Sequence, residues 1–317
     1  MQIRTDPDYL QRFGLALENL GIGADDRIML AVSGGPDSLA LLILANQAMP
    51  GRIHAATVDH RLRIEAADEA NFVSRLCSDL AVPHITLTPS RPIDGNIQSA
   101  ARAVRYQLLE HAADDRNCSF IATAHHHDDQ LETLLMRLAR GSGIDGFAAI
   151  RDHNKRIIRP LLGFSKSELE EICAGQGIAP VRDPSNDDSQ FDRVRIRQWL
   201  ARAPHPFAAD RAQRSAKALG EAAEALAWMT DSLAADKIVI KNAVIQCDAH
   251  TLPAELKRRL LVRCLSHIEP DRRPRGDALD HVLAELDAGR TAMIGNILCT
   301  GGPLWTFSVA PPRRTGR

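Results

Sequence analysis

From Ile28 onward, short apolar runs alternate with longer amphipathic ones. IMLAV (28–32), IHAATV (53–58), HITLT (84–88) and CSFIATA (118–124) are short and apolar and predict buried strands. SLALLILANQ (38–47), EAADEANFVSRLCSDL (65–80), IQSAARAVRYQLLEHAA (97–113) and DDQLETLLMRLAR (128–140) predict the helices that follow them. IIRPLL (157–162) predicts a fifth strand. Ser165, with Glu168 three positions on, has the spacing of a capping box opening the next helix. This alternation predicts an α/β fold with a doubly wound, mostly parallel sheet covered on both faces. Ligands on such sheets bind beyond the carboxyl ends of the strands. SGGPDS (33–38), the residues after Val58 and HHHDD (125–129) all fall at such ends.

The alternation stops at a polar loop, VRDPSNDDSQF (181–191), and a basic segment, RVRIRQWLAR (193–202). APHPFAAD (203–210), with two prolines, reads as a linker. Beyond it the pattern predicts a long alanine-rich helix (211–236), a hairpin in KIVIKNAVIQCD, two further helices and a β-rich end, TAMIGNILCTGGPLWTFSV. The expected organisation is a catalytic domain over 1–202, a linker over 203–210 and a smaller α+β domain over 211–317. The last residues, PPRRTGR, are expected to be disordered.

Composition narrows the function classes. At 317 residues, 44% hydrophobic and 25% charged, the chain has ordinary values for a soluble protein with room for two domains. Aromatics are only 4%, which argues against a nucleic-acid surface built mainly on base stacking. The net charge of −1 conceals an asymmetry. Residues 1–188 hold 19 Lys/Arg against 26 Asp/Glu, a net of −7; residues 189–317 hold 20 against 14, a net of +6. A basic rear half suits contact with a polyanion, and equally suits an uneven surface. The six cysteines (77, 118, 173, 247, 264, 299) form no CxxC pair and no zinc spacing, so reduced structural thiols are expected. MQIRTDPDYLQRFG has no apolar signal core, and the expected location is the cytoplasm.

The adjacent glycines of SGGPDS let the backbone turn tightly and bring its N–H groups against phosphate oxygens, beside the positive end of the next helix. Ser33 and Ser38 add hydroxyls. A Walker loop would place a lysine before its Ser/Thr, whereas here Asp37 precedes Ser38. An acid beside phosphate implies an intervening divalent cation, so Asp37 is a candidate Mg²⁺ ligand.

SGGPDS, comprising Ser33, Gly34, Gly35, Pro36, Asp37 and Ser38, resembles the pyrophosphate-binding loop of the N-type ATP pyrophosphatases, whose pattern is SGGxDS. The resemblance implies a Rossmann-like PP-loop fold that binds ATP by its outer phosphates while an acceptor attacks the α-phosphorus. DHRLR (59–63), AARAVRY (100–106), TAHHHDDQLETLLMRLARGSG (123–143), RPLL (159–162) and DPSNDD…FDRVRIR (183–197) follow in order. Together they resemble the tRNA(Ile)-lysidine synthetases. That resemblance implies adenylation of the wobble cytidine of a CAU anticodon and its displacement by lysine, giving lysidine, AMP and pyrophosphate.

In a helix continuing from residue 125, His125, Asp129 and Glu132 would share one face, with His126 and Asp128 pointing elsewhere. The carboxylates of Asp129 and Glu132 would bind the lysine ammonium and take its proton, and His125 would contact phosphate or the cytidine oxygen. HHHDD also fits a metal site or a solvated helix start. Arg102 and Arg105, three apart, are candidates to neutralise charge at the α-phosphate. Asp183 and Asn186 either cap turns or, by resemblance, border the tRNA side of the cleft. Arg193, Arg195 and Arg197 alternate with Val194 and Ile196, a pattern odd for a helix face and suited to phosphate contact. Lys257, Arg258, Arg259, Arg263, Arg272, Arg273 and Arg275 would extend that track.

Other classes stay in view. A tRNA thiolase shares the loop, though those making two-thiocytidine carry paired cysteines. An amidating ligase would not need the basic rear half, and a non-catalytic RNA-binding protein would not need the acidic constellation.

Overall fold

The computed structural model describes residues 5–61, 65–90, 97–148, 150–181, 192–202, 205–272, 274 and 276–311. Asp183, Asn186, Arg273, Arg275 and the tail 312–317 lie outside them. Among the described residues no helix is long and apolar enough to cross a membrane.

The chain runs α1 (Pro7–Asn19), β1 (Ile28–Ala31), α2 (Pro36–Ala48), β2 (Ile53–Val58), α3 (Glu65–Asp79), β3 (His84–Leu87), α4 (Ile97–Asp115), β4 (Phe120–Ala122) and α5 (His127–Ala139). There follow α6 (Ile144–Phe147), β5 (His153–Asn154), β6 (Ile157–Ile158), α7 (Lys166–Ala174) and α8 (Asp192–Arg202). The strands form one sheet in the order β3-β2-β1-β4-β6-β5. All pairings are parallel except β5 with β6. The chain winds outward from β1 to β3 and then returns to place β4 on the other side of β1, so the order reverses between β1 and β4. Open α/β sheets bind ligands at such a reversal. Here the segments leaving β1 and β4 are SGGPDS and HHHDD.

The central strand explains its own composition. Ile28, Leu30 and Val32 enter one buried cluster with α2 residues Leu39–Ala45, while Met29 and Ala31 enter a second with Leu109, Ala112 and Ala113 of α4. Alternate residues thus meet helices on opposite faces, and both faces are dry. Helix α2 is buried continuously from Ser38 to Ala45, so it is apolar all round and has no polar stripe. Ser165 and Glu168 form the expected capping box at α7.

Two expectations about local structure need correction. IIRPLL is a strand only over Ile157–Ile158; Pro160 cannot donate to a ladder, and Leu161 and Leu162 are buried in a turn instead. RVRIRQWLAR is helical and makes up most of α8.

The chain divides into two compact units, Met1–Ala218 and Leu219–Arg317. The division falls within α9 (Ala209–Lys237), later than the linker expected over 203–210. The second unit holds β7 (Ile238–Lys241), β8 (Val244–Cys247), α10 (Ala254–Ile268), α11 (Gly276–Asp287), β9 (Thr291–Ile294), β10 (Ile297–Thr300) and β11 (Trp305–Val309). Its antiparallel sheet, in the order β7-β8-β11-β10-β9, packs Trp305 and Phe307 against Leu260, Leu261 and Cys264 of α10.

Candidate active site

The glycine loop is braced from within. Ser38 Oγ accepts from Ser33 N at 3.0 Å and lies 3.0 Å from the Gly35 carbonyl, to which it donates. That hydroxyl proton is therefore committed inside the loop, and Ser38 acts as a brace more than as an anion donor. Gly34 has φ +86°, and its carbonyl accepts from Val181 N at 2.9 Å. A Cβ there would meet Val73 at 3.4 Å and Val181 at 3.5 Å. Gly35 caps α2 and Pro36 occupies its first position, so Asp37 and Ser38 contribute N–H groups of a first helical turn, which lack intrahelical partners. The result is a concave row of main-chain donors at a positive helix end.

His126 ties this loop to α5. Helix α5 begins at His127 with His126 as its N-cap, so His125 precedes the helix and the expected single face from residue 125 does not form. Far from pointing away, His126 is turned inward and only 3% exposed. Its Nε2 lies 3.6 Å from Asp37 Oδ2 and 3.7 Å from Asp129 Oδ2, and its Nδ1 lies 3.3 Å from Asp128 Oδ2. Burial alone would lower its pKa, but contact with Asp128 and Asp37 and the charge of Asp129 outweigh burial and raise it to about 10. Asp128, which also accepts from Lys166 N at 2.9 Å, is held down to about 2, first by His126. The His126 backbone N–H donates to Asp129 Oδ2 at 3.1 Å.

Arg193 and Arg197, four apart on α8, face the carboxylates of α5. Arg193 reaches Asp129 Oδ1 at 2.5 Å and Glu132 Oε2 at 2.7 Å; Arg197 reaches Glu132 Oε1 at 2.6 Å and Oε2 at 3.0 Å. These two arginines were expected on a track for phosphate; the helical period instead places them on one face against the acids. Glu132 is 3% exposed with both oxygens occupied, so it lies behind the cleft wall, not open to it. Arg195 points away and pairs with Asp192.

The cleft itself has a volume of about 830 Å³. Its walls include Gly35 and Asp37 of the loop, Arg102 and Arg105 of α4, and His125 and Asp129. His125 Nδ1 is 2.9 Å from Thr123 Oγ1. Burial, and then the charges of Arg159, Arg102, Arg193 and Arg105, hold its pKa well below the ordinary histidine value, so the ring is neutral. A neutral ring keeps one N–H, and the contact with Thr123 is the hydrogen bond that orients it.

Among the described residues Asp37 Oδ1 is buried without a hydrogen-bond partner, while Oδ2 faces His126. Among the described residues no three His, Cys, Asp or Glu side chains come together as a metal cage. One unpartnered carboxylate oxygen at a phosphate loop suits Mg²⁺, which binds through one or two carboxylates and substrate phosphates.

Residues 9–203 match the family model for the PP-loop domain. A tRNA(Ile)-lysidine synthase of Zymomonas mobilis is 41% identical over 298 residues, covering 91% of this chain and 90% of that protein. One from Novosphingobium aromaticivorans is 40% identical, covering 92% and 91% respectively. The chain belongs to the tRNA(Ile)-lysidine synthase family. The U34-tRNA thiolase NcsA of Methanococcus maripaludis shares the fold, with TM-score 0.57 at 17% identity over 68% of this chain and 79% of its own.

Set against the tRNA(Ile)-lysidine synthase resemblance read from sequence, the cleft brings together Asp37, Arg102, Arg105, His125 and Asp129, with Glu132 one layer behind. His126 and the arginine–carboxylate cluster were missed. The i, i+4 spacing of Arg193 and Arg197 was the available signal. In the second unit, the basic residues of α10 are engaged within that unit. Lys257 pairs with Asp287 at 2.6 Å, Arg259 with Glu255 at 2.9 Å, Arg258 with Asp280 and Arg263 with Asp231.

Proposed function

We propose that this chain joins lysine to C2 of the wobble cytidine of a tRNA(Ile) bearing a CAU anticodon, using ATP and releasing AMP and pyrophosphate. The observation that carries this reading is one cleft holding both a phosphate loop with a free acid oxygen and a carboxylate held beside it. In the first step the cytidine C2 oxygen attacks the α-phosphorus, the bond to the β-phosphate oxygen breaks, and pyrophosphate leaves. The loop amides and the α2 N-terminus hold the outer phosphates. Arg102 and Arg105 offset charge at the α-phosphate, and neutral His125 donates one N–H without adding charge. Asp37 would hold magnesium through Oδ1, and the ion would supply neutralisation of phosphate charge.

In the second step the lysine ε-amine attacks C2, the C2–O bond breaks and AMP leaves with that oxygen. The amine has a reference pKa of about 10.4 and arrives protonated. Asp129, which lines the cleft, receives that ammonium and accepts its proton. Glu132, buried with both oxygens engaged, positions Arg193 and Arg197 so that Asp129 stays in place. The basic character of residues 189–317, net +6, supports a polyanionic substrate.

The test is transfer of radiolabelled lysine to tRNA with a CAU anticodon, with tRNA bearing another anticodon as control. Transfer confined to the CAU species is expected. Absence of transfer by folded, ATP-binding protein would refute the proposal.

A further inference from the structure

Helix α8 carries two opposite faces. At roughly 100° per residue, Arg193 and Arg197 lie together, while Arg195, Trp199 and Arg202 lie together on the far side. The first face locks onto Asp129 and Glu132. The second is exposed and differently built. Trp199 is 50% exposed and Phe207 43%. Their rings gather with His205: Trp199 to His205 is 6.3 Å at 23°, His205 to Phe207 is 6.0 Å at 27°, and Trp199 to Phe207 is 6.2 Å. In a chain with 4% aromatics, two exposed rings, Trp199 and Phe207, gather on a half-buried His205 that lies near-parallel to each, with Arg195 and Arg202 on the same helix face as Trp199. Contiguous exposed rings of this kind mark a binding surface more often than a lone exposed apolar residue does.

This face is continuous with the cleft. Arg140 and Asp192 line the cleft and pair at 2.5 Å, and Asp192 also pairs with Arg195. From Asp192 to Trp199 the helix rises about 10 Å, the span of roughly three stacked nucleotides at about 3.4 Å each. A base whose C2 must meet ATP inside a cleft has to leave its stack, and its neighbours then lose their stacking partner. Aromatic faces replace that partner for any base, and arginines hold the connecting phosphates.

We propose that Trp199, His205 and Phe207, flanked by Arg195 and Arg202, form the stacking platform for the anticodon-loop nucleotides adjoining the reacting cytidine. This rests on the reaction assigned above, and it gives base stacking one local role on a surface whose low aromatic content argues against stacking as its main device. The surface binds single-stranded nucleotides through their π-faces and phosphates, without reading base edges.

The test uses the full chain and a CAU anticodon stem-loop RNA at fixed salt. Trp199→Ala weakens RNA binding by about 5- to 150-fold, the range for losing one base stack. Trp199→Phe restores most of it, and the affinity for ATP alone is unchanged in both. In the wild type, the stem-loop quenches fluorescence that is absent in Trp199→Phe, a reading independent of whether the alanine variant folds. Unchanged RNA affinity in Trp199→Ala, or no Trp199 quenching on binding, would overturn the platform even if lysine transfer proceeds. Quenching and weakened binding without lysine transfer by the wild type would uphold the platform and refute the assigned reaction instead.

Discussion

His126 Nε2 stands 3.6 Å from Asp37 Oδ2, so a buried ring at the start of α5 fixes the acid of the phosphate loop at the start of α2. The contact decides which Asp37 oxygen stays free. With Oδ2 turned to the ring, Oδ1 is left without a partner. The two strand ends that flank the sheet reversal are thereby joined through side chains as well as through β1 and β4.

Replacing His126 by Leu leaves Asp37, Asp128 and Asp129 around an apolar group. Removing one member of a buried charged cluster costs about 3–5 kcal/mol. Urea unfolding should show a loss of that size. His126→Gln, which can still donate toward Asp37, should lose less and keep its ATP affinity.

The same ring gives stability a pH signature. Its folded pKa, about 10, lies above the ordinary histidine value of 6.5. The unfolded chain therefore releases this proton first as pH rises. The contribution is full below about pH 6.5 and is lost as pH rises toward about 10. Asp128 acts in the opposite sense: its folded pKa of about 2 lies below 3.8, so its contribution is present above pH 3.8 and lost as pH falls toward 2. Unfolding free energy measured from pH 6 to 10 should decline in the wild type and decline less in His126→Gln.

Much of this was legible beforehand. The strand–helix alternation gave β1 to β4 with α2 to α5 to within a few residues, because each strand is a short apolar run and each helix but α2 has a polar face. SGGPDS marked the loop because only glycine suits the φ of +86° at Gly34. What stayed hidden depended on side chains meeting across the fold. Nothing local in HHHDD says that the middle histidine turns inward, since that follows from where α2 delivers Asp37. The alternation of Arg193, Arg195 and Arg197 with Val194 and Ile196 is odd for a helix face and suggests cations offered to phosphate. The real partners of Arg193 and Arg197 lie more than 60 residues away on α5.

Gly34→Ala tests the loop backbone. A side chain at that φ costs about 1–2 kcal/mol, while the new methyl finds only ordinary contact with Val73 and Val181, so the penalty is one of backbone strain. Thermal unfolding should shift down accordingly, with ATP affinity falling alongside.

Asp129→Asn and Glu132→Gln should separate the two acids. Asp129 meets the cleft, so its amide variant should raise the KM for lysine about 10- to 150-fold, the loss of one charge-assisted contact of about 1.5–3 kcal/mol, and, with no carboxylate to take the proton, lower kcat as well. Glu132→Gln leaves two guanidiniums short of a buried carboxylate and should lower stability first. Steady-state kinetics with lysine as the varied substrate, paired with urea unfolding of each variant, distinguishes these outcomes.

The way ATP is broken tests the assigned reaction most directly. Nucleotide products should be separated after reaction with CAU tRNA and lysine, using ATP labelled in the α- and γ-phosphates. AMP and pyrophosphate appearing in equal amounts, abolished by Asp37→Ala, is the predicted result; ADP and orthophosphate would contradict it.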